Sequence, residues 1–268
     1  MTILFASDLD RTLIYSKKSR GQEVDERDLI AVEWIDDRPV AFMTKKGIEL
    51  FKNLPSDMSF VPVTTRTAPQ YERVTGLIDA SSKPKYAIVS NGAVILENGK
   101  PVAEWSNKVE QQMQQECTSI DHVMPQLDSY IKKGCVVEVR QAECWFVYMI
   151  VDEKTFRVED IEQLSEIFYQ QGFTLSHQGR KLYIMPNCIN KSMALQFVKE
   201  RIGASQVIAA GDSLLDFDMV MSADKGFFPS HGEVVQGGKS YPAHISVTEH
   251  AGVLAGEEIL KKISDNLL

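Results

Sequence analysis

The sequence predicts an α/β fold built on a doubly wound parallel sheet, with a small α+β domain inserted into it. Helical patterns, such as those at 44–54 and 67–80, alternate along the chain with short apolar runs, which indicates helices on both faces of a sheet. The runs are apolar at successive positions, as is typical of strands buried on both faces. They are ILFAS (3–7), FVPVT (60–64), YAIVS (86–90) and VIAA (207–210).

A β-hairpin is predicted shortly after the first strand. The segment at about 29–43, LIAVEWIDDRPVAFM, contains two β-rich runs around DDRP (36–39), a sequence typical of a turn. Because this hairpin comes soon after the first strand, we expect it to form a flap over the residues at the end of that strand.

A longer interruption, at about 104–185, predicts the inserted domain. It begins with apolar residues at helical spacing, and we expect Pro125 to kink or end that helix. Two strand-like runs, a helix over 157–171 and two further strand-like runs follow. The predicted boundaries are 1–103 for the first part of the core, 104–185 for the inserted domain and 186–268 for the second part of the core.

The second part of the core returns to alternating helices and strands. Asn190 can cap a helix that ends at Gly203, and the strand at 207–210 follows. An amphipathic pattern predicts a last helix at roughly 249–266.

Composition narrows the classes of partner. The chain has 268 residues and a formal net charge of −8, and it contains no basic block, so nucleic acid and anionic membranes are poor candidates for binding. The first residues, MTILFASD, do not match a signal peptide, and no apolar run approaches the ~18 residues of a membrane span. The four cysteines form no CxxC pair, which favours reduced thiols and a cytoplasmic protein.

Polar residues follow each predicted strand of the core. Ligands of open α/β sheets bind beyond the carboxyl ends of the strands, so these residues are the candidates for a site. They are Asp8 and Asp10 after the first strand, Thr64, Thr65 and Arg66 after the second, Asn91 after the third, and Asp212, Ser213 and Asp216 after the fourth, with Lys191 at the start of a helix.

The four carboxylates indicate a bound cation. They cannot all stay ionised in a partly dry site without one, and a ligand set made of oxygen atoms favours Mg²⁺. Asp8 and Asp10 lie two residues apart and point to the same side if the strand geometry continues. One of them can then attack a phosphorus atom while the other carries a proton, and Thr64 and Lys191 can hold the phosphoryl group.

In their order and type, these residues resemble four motifs of the haloacid dehalogenase (HAD) superfamily of phosphatases. DLDRT (8–12) is similar to the first motif, DxDxT, and Thr64 in VTTR is similar to the second. Lys191 in INKSMAL is similar to the third, and GDSLLD (211–216) is similar to the fourth. The resemblance covers the whole chain and implies a Rossmann-like core.

The resemblance also implies roles. Asp8 would be the nucleophile and Asp10 the acid and base; Asp8, the Asp10 carbonyl and Asp212 would hold Mg²⁺, supported by Asp216. Thr64 and Lys191 would bind the phosphoryl group. The inserted segment is similar to a C2-type cap of the IIB (sucrose-phosphatase or Cof-like) form, whose members act on sugar phosphates and related small metabolites.

Two positions depart from the pattern of the superfamily. Arg11 stands where many relatives have glycine, and Leu215 stands where many have asparagine. In the inserted domain, Arg140 and Arg180 lie near predicted turns, where each can either meet a substrate or remain in solvent. The candidates for substrate binding are Thr65, Arg66, Asn91, Arg11, Ser213, Arg140 and Arg180.

We therefore predict a Mg²⁺-dependent phosphatase that acts on a small phosphorylated metabolite, such as a sugar phosphate, through an aspartyl-phosphate. Two alternatives stay open from the sequence. The same aspartyl-phosphate could return its phosphoryl group to the substrate, as in a phosphomutase, or the chain could be a binding module whose catalytic site has decayed. The identity of the metabolite and the oligomeric state also stay open.

Overall fold

The computed structural model describes residues 2–21, 24–80, 83–132, 134–152, 154–178, 180–235 and 240–265. The chain forms two compact units, one made of Met1–Pro101 with Lys191–Leu268 and the other of Val102–Asn190. The assignment of 104–185 to a cap stays a prediction. Within the described residues, no helix combines the length and the apolar character that a membrane crossing needs.

The strands are numbered in chain order. They are β1 (Ile3–Ser7), β2 (Tyr15–Ser16), β3 (Leu29–Ile35), β4 (Arg38–Thr44), β5 (Met58–Pro62), β6 (Tyr86–Val89), β7 (Val94–Glu97), β8 (Lys100–Pro101), β9 (Val136–Ala142), β10 (Phe146–Val151), β11 (Phe173–Gln178), β12 (Lys181–Pro186), β13 (Gln206–Ala210), β14 (Lys225–Phe228) and β15 (Ile245–Val247).

The α-helices are numbered in the same way. They are α1 (Lys45–Lys52), α2 (Ala68–Glu72), α3 (Thr75–Ala80), α4 (Ala103–Glu116), α5 (Ile120–Gln126), α6 (Asp128–Lys132), α7 (Val158–Tyr169), α8 (Lys191–Ile202), α9 (Phe217–Met221) and α10 (Val253–Asp265).

The first unit is built on a parallel sheet, which confirms the predicted α/β fold class. Its strand order is β15-β14-β13-β1-β5, and every neighbouring pair is parallel. The central strand β1 is buried along its whole length, as its continuous apolar sequence predicts. Because the strands are parallel, the residues that follow β1, β5 and β13 emerge at the same edge.

The prediction that 86–90 is a strand of the same sheet is only partly correct. Strand β6 pairs antiparallel with β7 in a separate three-stranded sheet. A single parallel bridge joins Val63 to Ile88, and the Thr64 N–H donates to the Ile88 carbonyl. The end of β6 therefore still lies beside the residues that follow β5.

The predicted hairpin is confirmed. Strands β3 and β4 pair antiparallel, and the connecting residues Asp36 and Asp37 both have positive φ, as a type I′ hairpin turn requires. The pairing is regular except at Glu33, where the register shifts on both sides.

Two helix boundaries differ from the predictions. The pattern at 67–80 forms two helices, because the Val74 N–H donates to Tyr71, three residues back, and tightens the chain between them. The last helix begins at Val253, not near 249. Gly252 has a φ of 61° and lies so close to Arg20 that an added Cβ would overlap its carbonyl oxygen, so the chain cannot be helical there.

The second unit is an α+β structure with its own core. Its antiparallel sheet has the order β11-β12-β10-β9, and one face packs against helices through residues that include Val147, Phe168, Phe173 and Ile184. This element order, three helices, two strands, one helix and two strands, is close to the predicted one.

The prediction that Pro125 kinks or ends the first helix of this unit is wrong, because that helix already ends at Glu116 and Pro125 lies in the next one. The helical run breaks at Cys117, which is extended, and the Thr118 N–H donates to the Gln171 carbonyl. The Ser119 hydroxyl then caps α5 by accepting the Asp121 N–H. Pro125 lies in the last turn of α5, where its missing N–H affects only one helical hydrogen bond.

Replacing Thr44 with alanine should lower the free energy of unfolding by ~1–2 kcal/mol. The Thr44 hydroxyl accepts the Gly47 N–H as the N-cap of α1 and donates to Glu257, so the variant leaves both groups without that partner. Urea unfolding of Thr44→Ala would measure the loss. Thr44→Ser retains the hydroxyl and should unfold close to the wild type; equal losses in the two variants would contradict the role of the cap.

Candidate active site

Asp8 is held at the end of the central strand. Its N–H donates to the Ala210 carbonyl at 2.9 Å, which extends the pairing of β1 with β13 by one residue. The side chain is buried, with 8% of its surface exposed. The backbone therefore fixes where this carboxylate emerges from the sheet.

Asp216 reaches the same edge because the loop after β13 folds back on itself. One oxygen of its fully buried carboxylate, Oδ2, accepts hydrogen bonds from the Ser213 N–H and hydroxyl at 2.9 and 2.7 Å. A Cβ at position 211 would overlap the Asp216 side chain, so only glycine allows this approach. The predicted candidate Ser213 thus acts within the loop by orienting Asp216.

Lys191 joins the two carboxylates. It is the first residue of α8, is almost completely buried, and its Nζ lies 2.6 Å from both Asp8 Oδ1 and Asp216 Oδ1. Charge-assisted hydrogen bonds of this length are among the strong ones in proteins. The structure therefore brings together residues from three separate parts of the sequence around one ammonium group.

Lys191 is charged in this setting. Burial alone disfavours an ammonium ion, but the carboxylates of Asp216 and Asp8 outweigh that effect and raise the pKa of Lys191 above its usual value. For Asp8, burial dominates and raises its pKa well above the ordinary value, with Asp216, Asp212 and Asp10 adding to the rise and Lys191 opposing it. One lysine is not enough to keep all these carboxylates ionised.

Asp212 is the third buried carboxylate of the cluster. Its Oδ2 lies 3.2 Å from Nε of Arg11. Burial, followed by the charge of Asp216, raises the pKa of Asp212 to about 7, although Arg11 and Lys191 act in the opposite direction. Asp212 therefore binds a proton more readily than an exposed aspartate when no cation is present.

The cluster fits a divalent cation. Asp8, Asp212 and Asp216 each offer a carboxylate oxygen, and these atoms lie within 4.8 Å of one another. When ionised, the three carboxylates and the ammonium of Lys191 carry a net charge of two negative units. An oxygen-only donor set with that charge suits Mg²⁺. The predicted contribution of the Asp10 carbonyl stays a prediction.

Asp10 is more exposed and is held by an arginine. Arg66 donates from Nε and Nη2 to the two oxygens of Asp10 at 2.7 and 2.8 Å. The same guanidinium donates from Nη1 and Nη2 to Glu33 at 2.7 and 2.9 Å, and from Nη1 to the Gln70 carbonyl at 3.4 Å. Arg66, predicted to bind substrate, is thus engaged by two carboxylates of its own chain.

Thr64 lies in a tightly hydrogen-bonded loop. It is fully buried, its hydroxyl accepts the Arg66 N–H at 3.2 Å, and its carbonyl accepts the Asn91 N–H at 2.9 Å. Asn91 is also buried, in a turn where Ser90, Asn91 and Gly92 all have positive φ. Thr65 is partly exposed between Thr64 and Arg66.

The other two predicted arginines lie in the second unit. Arg140 is exposed and donates to both oxygens of Glu138 at 2.7 and 2.8 Å, which raises the pKa of Arg140. Arg180 is exposed at the turn between β11 and β12. Their roles in substrate binding stay predictions.

One residue of the site region, Glu33, was missed by the sequence analysis. Glu33 is buried on the hairpin, and an acidic residue inside the apolar run LIAVEWI was the available signal. His231 donates from Nε2 to the Arg11 carbonyl at 2.9 Å and accepts the Gly252 N–H at Nδ1. Burial lowers the pKa of His231, which favours this neutral form.

A position that favours glycine explains the first departure from the superfamily pattern. Arg11 has a φ of 63°, a left-handed conformation that costs non-glycine residues free energy. The Arg11 side chain gains the contact with Asp212 and also donates to the His231 carbonyl at 3.2 Å.

Comparison with known proteins gives a family and a fold. The sequence matches the family of sucrose-6F-phosphate phosphohydrolase over residues 1–230. A comparison with curated protein sequences found no match.

Solved structures with the same fold cover nearly the whole chain. The sucrose-phosphatase of Synechocystis sp. PCC6803, solved in complex with sucrose and phosphate, is 15% identical with a TM-score of 0.66, and the match covers 98% of this chain and 99% of that one. A HAD/Cof-like hydrolase from Plasmodium vivax is 12% identical with a TM-score of 0.62, covering 98% and 95%. A HAD phosphatase from Bacteroides thetaiotaomicron is 14% identical with a TM-score of 0.56, covering 98% and 96%.

In EDTA, the protein should lose stability as the pH rises from about 4 to about 7. The folded state raises the pKa of Asp212 from 3.8 to about 7, so it binds more protons than the unfolded chain in this range. The stabilisation is complete below the unfolded pKa and is lost as the pH passes the folded one, at ~1.4 kcal/mol for each pKa unit. Urea unfolding at several pH values measures this slope.

Asp212→Asn provides the control, because asparagine does not titrate. The variant should show a smaller slope over the same range, and an unchanged slope would contradict the assignment to Asp212. Adding Mg²⁺ to the wild type should stabilise it more at pH 8 than at pH 5, because the cation binds the ionised carboxylates.

Proposed function

The chain belongs to the sucrose-6F-phosphate phosphohydrolase family and is a phosphatase of the HAD superfamily, and from that premise we propose its substrate and mechanism. It hydrolyses the phosphomonoester of a small phosphorylated sugar, depends on Mg²⁺, and acts through an aspartyl-phosphate on Asp8. The observation that carries this proposal is the contact of Lys191 with both Asp8 and Asp216 beside Asp212.

Asp8 is the nucleophile of the proposed mechanism. Lys191 engages its Oδ1, so Oδ2 is the oxygen left to attack the phosphorus atom. A bond forms between this oxygen and phosphorus while the bond from phosphorus to the sugar oxygen breaks. The backbone pairing of Asp8 with β13 holds the nucleophile in place, which reduces the entropic cost of reaching the transition state.

Cations near Asp8 stabilise the charge on the transferring phosphoryl group. Asp8, Asp212 and Asp216 would hold Mg²⁺, which when bound neutralises negative charge on the phosphoryl oxygens. Lys191 supplies a fixed positive charge in a buried setting, where electrostatic interactions are stronger than in water. Because the whole chain is acidic, these local cations must hold the anionic substrate.

Asp10 carries the proton in both steps. It gives a proton to the departing sugar oxygen, and it then takes a proton from the water molecule that hydrolyses the aspartyl-phosphate. The Arg66 fork fixes the plane of the Asp10 carboxylate, so the proton is presented from a defined direction.

The proposed substrate class is a phosphorylated sugar. The family description names the phosphohydrolysis of a sucrose phosphate, and the Synechocystis enzyme was solved with sucrose and phosphate. These facts concern the relatives and support, for this chain, a sugar as the leaving group.

Asp8→Asn should reduce turnover by ~10³-fold or more, since loss of the catalytic nucleophile costs ~10⁶-fold in a well-studied hydrolase. Release of inorganic phosphate from sucrose 6-phosphate and from p-nitrophenyl phosphate, with Mg²⁺, measures the effect, and acid quenching with ³²P-labelled substrate tests for a labelled protein. Asp218→Asn, an exposed aspartate two residues after Asp216, is the matched control and should stay active. Full activity of a folded Asp8→Asn variant would refute the assignment of Asp8 as the nucleophile.

A hydrolase and a phosphomutase differ in their products. Incubation with glucose 1-phosphate, glucose 6-phosphate and sucrose 6-phosphate should yield inorganic phosphate and free sugar in equal amounts from at least one of them. Conversion of glucose 1-phosphate to its isomer without phosphate release would show a mutase instead. A chain that folds and binds Mg²⁺ but releases no phosphate from these substrates or from p-nitrophenyl phosphate would contradict the proposal.

A further inference from the structure

Glu33 is turned into the protein by an irregularity in its strand. In β3, neighbouring side chains should point to opposite faces, yet Val32 and Glu33 are both buried. The pairing explains this, because Glu33 lies opposite Ala41 with a register shift on each side of it. Bulges of this kind re-aim a side chain, and here the side chain is a carboxylate.

The buried carboxylate meets two arginines of the same unit. Arg66 donates to both oxygens of Glu33, and Nε of Arg73 lies 3.3 Å from Oε1. The Glu33 side chain is only 4% exposed, against 13% for Arg66 and 39% for Arg73. The hairpin thus presents a buried carboxyl group to the loop that follows β5.

All five N–H groups of the Arg66 guanidinium donate hydrogen bonds within the protein. A guanidinium carries five N–H groups in a rigid fork, and those of Arg66 go to Asp10 on one edge and to Glu33 and the Gln70 carbonyl on the other. The backbone of Arg66 is fixed as well, since its N–H donates to Thr64 Oγ1 and its carbonyl accepts the Ser90 N–H. With the backbone fixed, the guanidinium of Arg66 can change its orientation only by rotation of its side chain. The two hydrogen bonds to Glu33 oppose that rotation.

Stability alone is a weak explanation for such a pair. Buried ion pairs often contribute little net free energy, because removing two charges from water costs about as much as their attraction returns. Their best-supported use is to select one arrangement among several. The arrangement selected here is the orientation of Arg66 against Asp10.

We propose that Glu33 is a positioning residue for phosphoester hydrolysis: by fixing the Arg66 fork, it orients the Asp10 carboxylate toward the leaving oxygen. This inference rests on the proposed function, in which Asp10 is the acid and base. Glu33 itself touches neither substrate nor metal. It acts through Arg66, and its effect reaches the reaction only at the proton transfer.

That restriction gives a specific signature. A sugar hydroxyl is a poor leaving group and needs the proton from Asp10, whereas p-nitrophenolate leaves without one. The value of kcat/KM reports the steps up to departure of the leaving group, so loss of orientation affects the two substrates differently. A merely structural role would lower both values by the same factor.

The experiment compares Glu33→Gln with the wild type on sucrose 6-phosphate and p-nitrophenyl phosphate. Glutamine retains the shape but accepts only one of the two Arg66 bonds. We expect kcat/KM to fall ~10- to 100-fold on the sugar phosphate, as is usual for a misplaced catalytic group, and by less than ~3-fold on p-nitrophenyl phosphate. The inhibition constant of inorganic phosphate should not change.

Glu97→Gln is the matched control. Glu97 is a paired glutamate of the same unit that accepts the Tyr86 hydroxyl at 2.7 Å and lies near Arg201. Its substitution should leave kcat/KM unchanged on both substrates. Arg66→Lys is the second variant, and it provides the test if Glu33→Gln fails to fold. An ammonium group cannot bridge two carboxylates as a guanidinium does, so Arg66→Lys should show the same selective loss on the sugar phosphate.

A double variant tests the route through Asp10. Asp10→Asn should show the selective loss on sucrose 6-phosphate, and adding Glu33→Gln to it should cause no further loss. Equal losses on both substrates, or no loss, in folded Glu33→Gln would overturn the inference while leaving the phosphatase intact. A wild type that hydrolyses neither substrate would instead overturn the proposed function.

Discussion

The bridge from Lys191 to Asp8 and Asp216 is the interaction on which the rest of the site depends. It places one cation between two buried carboxylates that come from different loops of the parallel sheet. A lysine in the first turn of a helix opposes the helix dipole, so this position has a local cost of a few tenths of a kcal/mol or more. The two short ion pairs offset that cost, and they tie the start of α8 to the ends of β1 and β13.

The charge that Lys191 leaves unbalanced organises the neighbouring residues. Two arginines from different loops each hold one further carboxylate: Arg11 contacts Asp212, and Arg66 contacts Asp10. The division separates the buried side of the site, where the carboxylates of Asp8, Asp212 and Asp216 lie together, from the more exposed side, where Arg66 holds Asp10. The same edge of the parallel sheet thereby offers a cluster of carboxylates for a metal ion and a separate carboxylate for proton transfer.

The sequence predicts the buried side of the site better than the exposed side. Asp8, Asp212 and Asp216 could be found because parallel strands bring their carboxyl ends to one edge, and this rule needs only the strand assignments. Glu33 could not, because a one-residue register shift decides whether its side chain faces solvent or protein, and such shifts leave no periodic signal. The helix break at Cys117 was missed for a similar reason: a tertiary hydrogen bond from Thr118 to Gln171, and not Pro125, determines it.

Arg11 shows how a departure from a family pattern can be read physically. The backbone at this position is left-handed, where a side chain costs ~1–3 kcal/mol and glycine costs nothing, so an arginine persists only if its contacts compensate. Its guanidinium contacts Asp212 and the His231 carbonyl, and its own carbonyl accepts the His231 ring N–H. A glycine would keep only the last of these bonds. Compared with glycine, Arg11 therefore costs backbone strain but places a positive charge beside Asp212. That charge is stabilising because the carboxylates around Lys191 are buried and carry more negative charge than one lysine can balance.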